Sequence, residues 1–145
     1  MSNFTKLSIV IPAYNEGRTI HLILDRIRAV ELINNIQKEV IIVNDCSKDN
    51  TEEAILKYKA EHPEMDIAYF KHEVNQGKGA ALHTGISKAT GEYTVIQDAD
   101  LEYDPEEFNI MIKTILRSEA DVVYGSRFLG GNAHRILFFW HSIGN

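Results

Sequence analysis

Tyr93–Pro105 reads YTVIQDADLEYDP. It opens as an apolar strand and then sets acids at alternate positions, Asp98, Asp100, Glu102 and Asp104. Side chains two apart in an extended chain point the same way. Two carboxylates about 5 Å apart repel by roughly 3 kcal/mol at an effective dielectric near 20. Asp104 has a local explanation, since DPEE supplies an aspartate N-cap, a proline at the first helical position and a glutamate at the third. The other acids predict a cation, because hard divalent ions such as Mg2+ or Mn2+ prefer oxygen ligands and share them between protein carboxylates and substrate phosphates. A solvated loop is the competing reading of a bare D-x-D.

Upstream, strand and helix signals alternate with short connections, which predicts an α/β domain with a doubly wound, mainly parallel sheet. LSIVI (Leu7–Ile11) is a continuous apolar run, as in a strand buried on both faces, and Pro12 is expected to end it. Ile20, Ile23, Leu24, Ile27 and Val30 recur at helical spacing, so a helix is expected from about Thr19 to Glu31. EVIIV (Glu39–Val43) reads as the second strand. Asn50 with Glu53 predicts a capping box at the next helix, which buries Ala54, Ile55 and Tyr58 and stops before Pro63. IAYF (Ile67–Phe70) is a third strand, and Val74–Gly91 is a Gly-rich turn opening a small-residue helix. YTVIQ is the fourth strand. Phe108, Ile112, Ile115 and Leu116 line the next helix, and VVYG (Val122–Gly125) is expected to form a fifth strand.

Composition narrows the class. Hydrophobic residues make up 44% and charged residues 25% of 145 positions, ordinary for one soluble domain. A formal net charge of -6 disfavours a nucleic-acid partner, which needs a positive surface. Cys46 is the single cysteine, so no intrachain disulfide forms, consistent with a reducing compartment. With neither a signal peptide at the N-terminus nor about 18 consecutive apolar residues, the expected location is cytoplasmic. The tail RILFFWH (Arg135–His141) is an apolar-aromatic cluster of the kind that meets a partner, a membrane or further chain. It predicts that the intact protein continues past Asn145.

Ligands of open α/β sheets bind beyond the carboxyl ends of the strands. Polar residues fall there after each expected strand: Tyr14, Asn15 and Glu16; Asn44 and Asp45; Asn75–Gly79; Asp98, Asp100 and Glu102; Ser126 and Arg127. Asp45 stands about where such folds hold ribose hydroxyls or a base N–H, although a turn role is equally open. Glu16 reads more readily as an acid in a helix's first turn. Gly77-Lys78-Gly79 opens a helix whose free amides suit an anion, but it is neither a P-loop nor a complete GxGxxG. Arg127 suits a phosphate or a neighbouring aspartate. The six histidines show no close metal spacing and are expected mostly at the surface, and Cys46 is expected to face the core.

IVIPAYNE, VIIVNDCSKDNT, NQGKGAALHTG, QDADLEYDP and VVYGSRF together resemble, in order, the blocks of the family 2 glycosyltransferases with the GT-A fold. Within that family the chain is similar to dolichyl-phosphate mannose synthases and bacterial polyprenyl-phosphate glycosyltransferases. The resemblance implies a Rossmann-like GT-A domain over residues 1–128 and the start of an acceptor-side region over 129–145. It implies metal-assisted, inverting transfer from a UDP- or GDP-linked sugar to a polyprenyl phosphate or another glycan or lipid acceptor. Pro12, Ala13, Tyr14, Glu16, Val43, Asp45 and Lys78 are then expected at the nucleotide, with Asp98, Ala99 and Asp100 as the sugar-nucleotide segment. Asp98, Asp100 and Glu102 are the expected metal ligands, Glu102 standing where the subgroup often has Gln. Arg127 is expected at the donor diphosphate beside the catalytic Asp98 and Asp100, with Arg135 as a second phosphate contact.

An acceptor phosphate is already ionised and needs no general base, which fits the lack of another acid–base dyad. The longer protein is expected at the inner face of the membrane if the aromatic tail is interfacial; packing against further protein is the equal alternative. A homo-oligomer is compatible with everything above. Two other functions compete: a noncatalytic nucleotide-sugar-binding module, and a sugar nucleotidyltransferase. The second is disfavoured because no Gly-rich, basic first loop is present for a triphosphate.

Overall fold

A computed structural model describes residues 4–117 and 122–123. Strand β1 (Lys6–Ala13) is central: it pairs in parallel with β2 (Gln37–Asn44) on one side and with β4 (Tyr93–Ile96) on the other. β3 (Asp66–Lys71) joins the outer side of β2, again in parallel, giving the order β3-β2-β1-β4. The chain therefore builds outward from β1 through β2 to β3, then returns to lay β4 against the opposite side of β1. That reversal opens a crevice at the carboxyl ends of β1 and β4.

Alternation along the strands divides the core between two faces. Leu7, Ile9, Ile11 and Ala13 of β1 pack with Val40 and Ile42 of β2 in the larger cluster. Helix α1 (Ile20–Ala29) contributes Ile20, Ile23, Leu24 and Ile27 to it, all fully buried. Each is worth about 1.5–3 kcal/mol relative to exposure. Helix α2 (Thr51–Glu61) adds Ile55 and Tyr58, and α4 (Phe108–Leu116) adds Phe108 and Ile112. On the opposite face, Val10, Ile41 and Val43 meet Ala81 of α3 (Lys78–Lys88). α3 approaches the sheet closely because Gly85 has no side chain: a Cβ there would lie 2.4 Å from Val10 Cγ1.

At the amino ends of the strands, buried Glu39 accepts hydrogen bonds from Ser8 Oγ at 2.5 Å, Thr90 N at 2.9 Å and Thr90 Oγ1 at 2.7 Å. Burial would raise its pKa; these bonds outweigh it and hold the carboxyl below the usual range. They fix the entry to β4.

Several expectations need correcting. Pro12 does not end β1, which runs on to Ala13. Val10 O accepts from Gln97 N, so the ring nitrogen two residues later faces the side where β4 has already stopped, and no ladder bond is lost. Asn50 makes no side-chain cap on α2. Asp49 does that work, accepting from Thr51 N at 3.0 Å and from Gly17 N at 3.1 Å. The helix expected after DPEE starts with a 3-10 turn, Pro105–Glu107, whose cap is Asp104 as expected. Of the expected fifth strand, Val122 and Val123 lie outside any strand, and Tyr124 and Gly125 lie outside the described residues, as does the aromatic tail.

Gly85→Ala tests the close packing of α3. We expect a loss of about 1–3 kcal/mol from overpacking, seen as a lower denaturant midpoint. Val10→Ala in the same chain should recover part of it.

Candidate functional site

The crevice at the β1/β4 reversal holds a cavity of about 340 Å³. Its lining comes from four segments: Pro12 and Ala13 at the end of β1 with Tyr14 and Glu16 beyond it; Asp45 after β2; Asn75, Gly77, Lys78 and Ala81 around the start of α3; Asp98, Ala99 and Asp100 after β4. Four carboxylates and one ammonium therefore meet there.

The first two loops are laced together. Asn15, at φ 57°, donates its amide to Ser47 Oγ at 3.0 Å, and its own Oδ1 accepts from Lys48 N at 2.8 Å. Glu16 N donates to Thr51 Oγ1 at 2.8 Å, while the Thr19 hydroxyl donates to the Glu16 carboxylate. Cys46 is not in the core: it is partly exposed, with φ 58° and Sγ 3.5 Å from Glu73 O, at a left-handed bend that turns the loop away from β2.

Asp45 holds the third loop. Its carboxylate, 3% exposed, accepts from Gln76 N at 2.9 Å and His72 Nδ1 at 2.7 Å through Oδ1, and from Gly77 N at 2.7 Å through Oδ2. Its backbone oxygen accepts from Asn75 Nδ2 at 3.1 Å. Burial pushes its pKa up, but the Gln76, His72 and Gly77 bonds prevail and lower it. Among the histidines, His72 is buried rather than superficial, and nothing in its sequence neighbourhood announced that.

Gly77, at φ 88°, swings the chain into α3. Among the described residues no side chain caps the first turn of α3, and the helix end with its partial positive charge opens on the cavity. Lys78 Nζ lies 2.6 Å from Asp98 Oδ1. With side-chain exposures of 60% and 25%, that pair is worth no more than about 1 kcal/mol and is readily exchanged.

The alternate-acid reading fails in one respect. β4 ends at Ile96, and the chain bends from Ala99 onward, so the acids are not stacked on one extended edge. The three aspartates have donors of their own: Asp98 has Lys78, Asp100 Oδ1 accepts from Glu102 N at 3.1 Å, and Asp104 Oδ1 accepts from Glu106 N at 3.1 Å. Gln97, 1% exposed, pins the bend by donating Nε2 to Asp98 O at 3.1 Å and Tyr103 O at 3.4 Å. It carries no charge and belongs to no charged pattern, so no sequence signal marks it.

Asp98 and Asp100 share the cavity wall; Glu102 is exposed and outside the lining. Among the described residues no three His, Cys, Asp or Glu side chains are grouped to hold a metal by themselves. The pair still suits Mg2+ or Mn2+ chemically, since such an ion is commonly held by one or two carboxylates, with waters and phosphate oxygens completing the shell. Val43 is fully buried in the core against α3 and is not brought to the cavity. Arg127 and Arg135 lie outside the described residues.

Among the described residues, a four-stranded parallel sheet with helices on both faces and a crevice at the strand reversal makes a Rossmann-like α/β fold, which comparison with solved structures matches to the GT-A class. The chain belongs to glycosyl transferase family 2, whose sequence profile matches residues 8–136. It is 34% identical over 143 residues to a dolichyl-phosphate beta-glucosyltransferase of Trichomonas vaginalis, covering 89% of this chain and 42% of that protein. It is 29% identical to a dolichol-phosphate mannosyltransferase of Pyrococcus furiosus, covering 87% of this chain and 34% of that one. Among solved structures, a mannosyltransferase from Pyrobaculum calidifontis in complex with GDP-Man and Mn2+ superposes with a TM-score of 0.67 at 30% identity. The match covers 77% of this chain and 32% of that one. The chain thus spans less than half the length of these relatives.

Asp45→Asn tests the loop anchor. A carboxyl whose pKa is lowered by folding stabilises the protein above its ordinary value and loses that contribution as pH falls through the lowered one. At pH 7 we expect the variant to be about 1–3 kcal/mol less stable. The gap from wild type should narrow in denaturant titrations below about pH 4.

Proposed function

We propose that the protein transfers a sugar from a UDP- or GDP-linked donor to a polyprenyl phosphate or related glycan acceptor, with the donor seated in the β1/β4 crevice. One observation carries this reading: the uncapped start of α3, Lys78 and the Asp98/Asp100 pair converge on a single cavity at the strand reversal. An amide-rich helix end with an ammonium suits a diphosphate. Two carboxylates beside it suit a divalent ion shared with that diphosphate.

Tyr14, 43% exposed on the cavity wall, offers an aromatic face to the base or ribose. Ala99, 3% exposed between the two aspartates, leaves the floor small enough for phosphates to approach. Asp98 and Asp100 would hold Mg2+ or Mn2+, which when bound supplies Lewis-acid stabilisation of charge on the departing nucleoside diphosphate. Lys78 leaves Asp98 for the diphosphate and adds its own charge there. The acceptor phosphate oxygen bonds to the anomeric carbon, the bond from that carbon to the donor diphosphate breaks, and the electron pair departs with the nucleotide. Because that oxygen is already anionic, no side chain need remove a proton.

The relatives' names support a polyprenyl-phosphate acceptor, and such a lipid would bring the reaction to a membrane surface. No helix among the described residues is long and apolar enough to cross a membrane.

Isothermal titration with UDP and with GDP, each with and without Mn2+, tests the donor assignment. Wild type should bind one of them more tightly with Mn2+; Lys78→Met should weaken that binding about tenfold, and Asp100→Asn should remove the Mn2+ dependence. Failure of both nucleotides to bind under either condition would overturn the proposal.

A further inference from the structure

The loop between β1 and α1 brings Tyr14 and Glu16 to the cavity, yet the groups that hold it lie outside the cavity, where the chain enters α2. Thr51, fully buried at the start of α2, uses its hydroxyl twice: Oγ1 accepts from Glu16 N at 2.8 Å and donates to Asp49 Oδ1. Asp49 Oδ1 also accepts from Thr51 N at 3.0 Å, and Oδ2 accepts from Gly17 N at 3.1 Å. Two consecutive loop amides are thus tied to one carboxylate, the first through the Thr51 hydroxyl and the second directly. Desolvation would raise the Asp49 pKa; the bonds from Thr51 and Gly17 outweigh it and lower it, so the carboxylate only accepts. The two segments lie so close that a Cβ on Gly17 would sit 2.1 Å from Asn50 Oδ1.

This tie decides where the loop's side chains go. Ala13 is fixed at the near end, paired with Asn44 in the sheet and accepting from Asp45 N at 2.9 Å. Glu16 and Gly17 are fixed at the far end, and Asn15 between them is held by Ser47 and Lys48. Tyr14 therefore stands on a short bridge whose course is set from both sides. Glu16 faces the cavity from a pinned amide, its carboxylate held by the Thr19 hydroxyl. The start of α3 and the Asp98–Asp100 bend have their own anchors in Asp45 and Gln97.

We propose that Thr51 is a positioning residue for the nucleoside side of the donor site, acting with Asp49 on the amides of Glu16 and Gly17 and so on Tyr14 and Glu16. The proposal rests on the nucleotide reading above. Two consequences separate it from a general packing role. Loss of the hydroxyl should weaken mono- and diphosphate alike, because the phosphate side is anchored elsewhere. Ser should substitute for Thr, since it keeps the hydroxyl, whereas Val fills the space with neither donor nor acceptor.

The test is titration of wild type, Thr51→Val, Thr51→Ser and Asp49→Asn with UDP, UMP, GDP and GMP. Circular dichroism melting sets a titration temperature at which each variant is folded. For the preferred base, Thr51→Val should raise the Kd of mono- and diphosphate about tenfold each. Their ratio, and the strengthening of the diphosphate by Mn2+, should stay within about twofold of wild type. Thr51→Ser should keep both Kd values within about twofold. Asp49 is exposed, so Asp49→Asn leaves the core intact and carries the same test if Thr51→Val does not fold. Its amide has one acceptor oxygen where the carboxylate has two, so either Gly17 N or the Thr51 donors lose a partner, and both Kd values should rise together. A lower melting temperature with unchanged Kd values would make Thr51 a stabilising residue only and overturn the proposal. So would a loss confined to the diphosphate, or a Ser variant that binds like Val. If wild type binds none of the four, the donor assignment falls and this inference with it; binding by wild type without the paired loss defeats the inference alone.

Discussion

The reversal of strand order at β1 is the constraint on which the rest depends. Parallel pairing sends the carboxyl ends of β1, β2 and β4 to one edge of the sheet, and the return of the chain through α3 leaves β1 and β4 adjacent without a direct loop between them. Two faces buried by different helices make this arrangement rigid: α1, α2 and α4 on one side, α3 on the other. Gly85 lets α3 lie close to Val10 and so aims its amino end at the crevice. The cavity is lined by the end of β1, the start of α3 and the loops at this edge.

Electrostatics at the site follow from who already has a partner. Asp45 is enclosed by hydrogen-bond donors and acts on the structure around it. Asp98 is held by one exposed lysine, and Asp100 by one backbone amide. The first carboxylate is committed; the other two are lightly held and can be redirected by an incoming cation. The same exchange would free Lys78 for phosphate. A donor and its metal would thus replace weak contacts with stronger ones, which is how a small, open crevice can favour a doubly charged diphosphate.

The strands and helices were legible because their signals are local. LSIVI and EVIIV are apolar runs buried on two faces, and Ile20, Ile23, Leu24 and Ile27 repeat at helical spacing and are all buried. The blocks at the strand ends were legible too, since topology alone gathers residues such as Tyr14, Asp45, Lys78 and Asp98. Errors arose where the deciding contact is distant or the backbone leaves its regular path. Extending strand geometry through Asp98–Asp104 overlooked the bend that Gln97 pins from within. Treating Pro12 as a terminator overlooked that β4 is shorter than β1. His72 gave no signal because its partners, Asp45 and Thr84, lie 27 and 12 residues away. Asp49, not Asn50, anchors α2 because it can also reach Gly17 across the edge, a contact no capping pattern encodes.

The central claim is that a divalent ion and a nucleoside diphosphate meet where the α3 amino end faces the Asp98–Asp100 bend. Paramagnetic broadening by Mn2+, read residue by residue in amide NMR spectra of the UDP- or GDP-bound protein, locates that meeting point directly. The amides of Asp98, Ala99 and Asp100 should broaden first, followed by those of Gly77, Lys78 and Gly79. A second groove, between α1 and α2, is lined by Asp25, Glu53 and Glu61; broadening centred there, with the crevice amides left sharp, would contradict that meeting point.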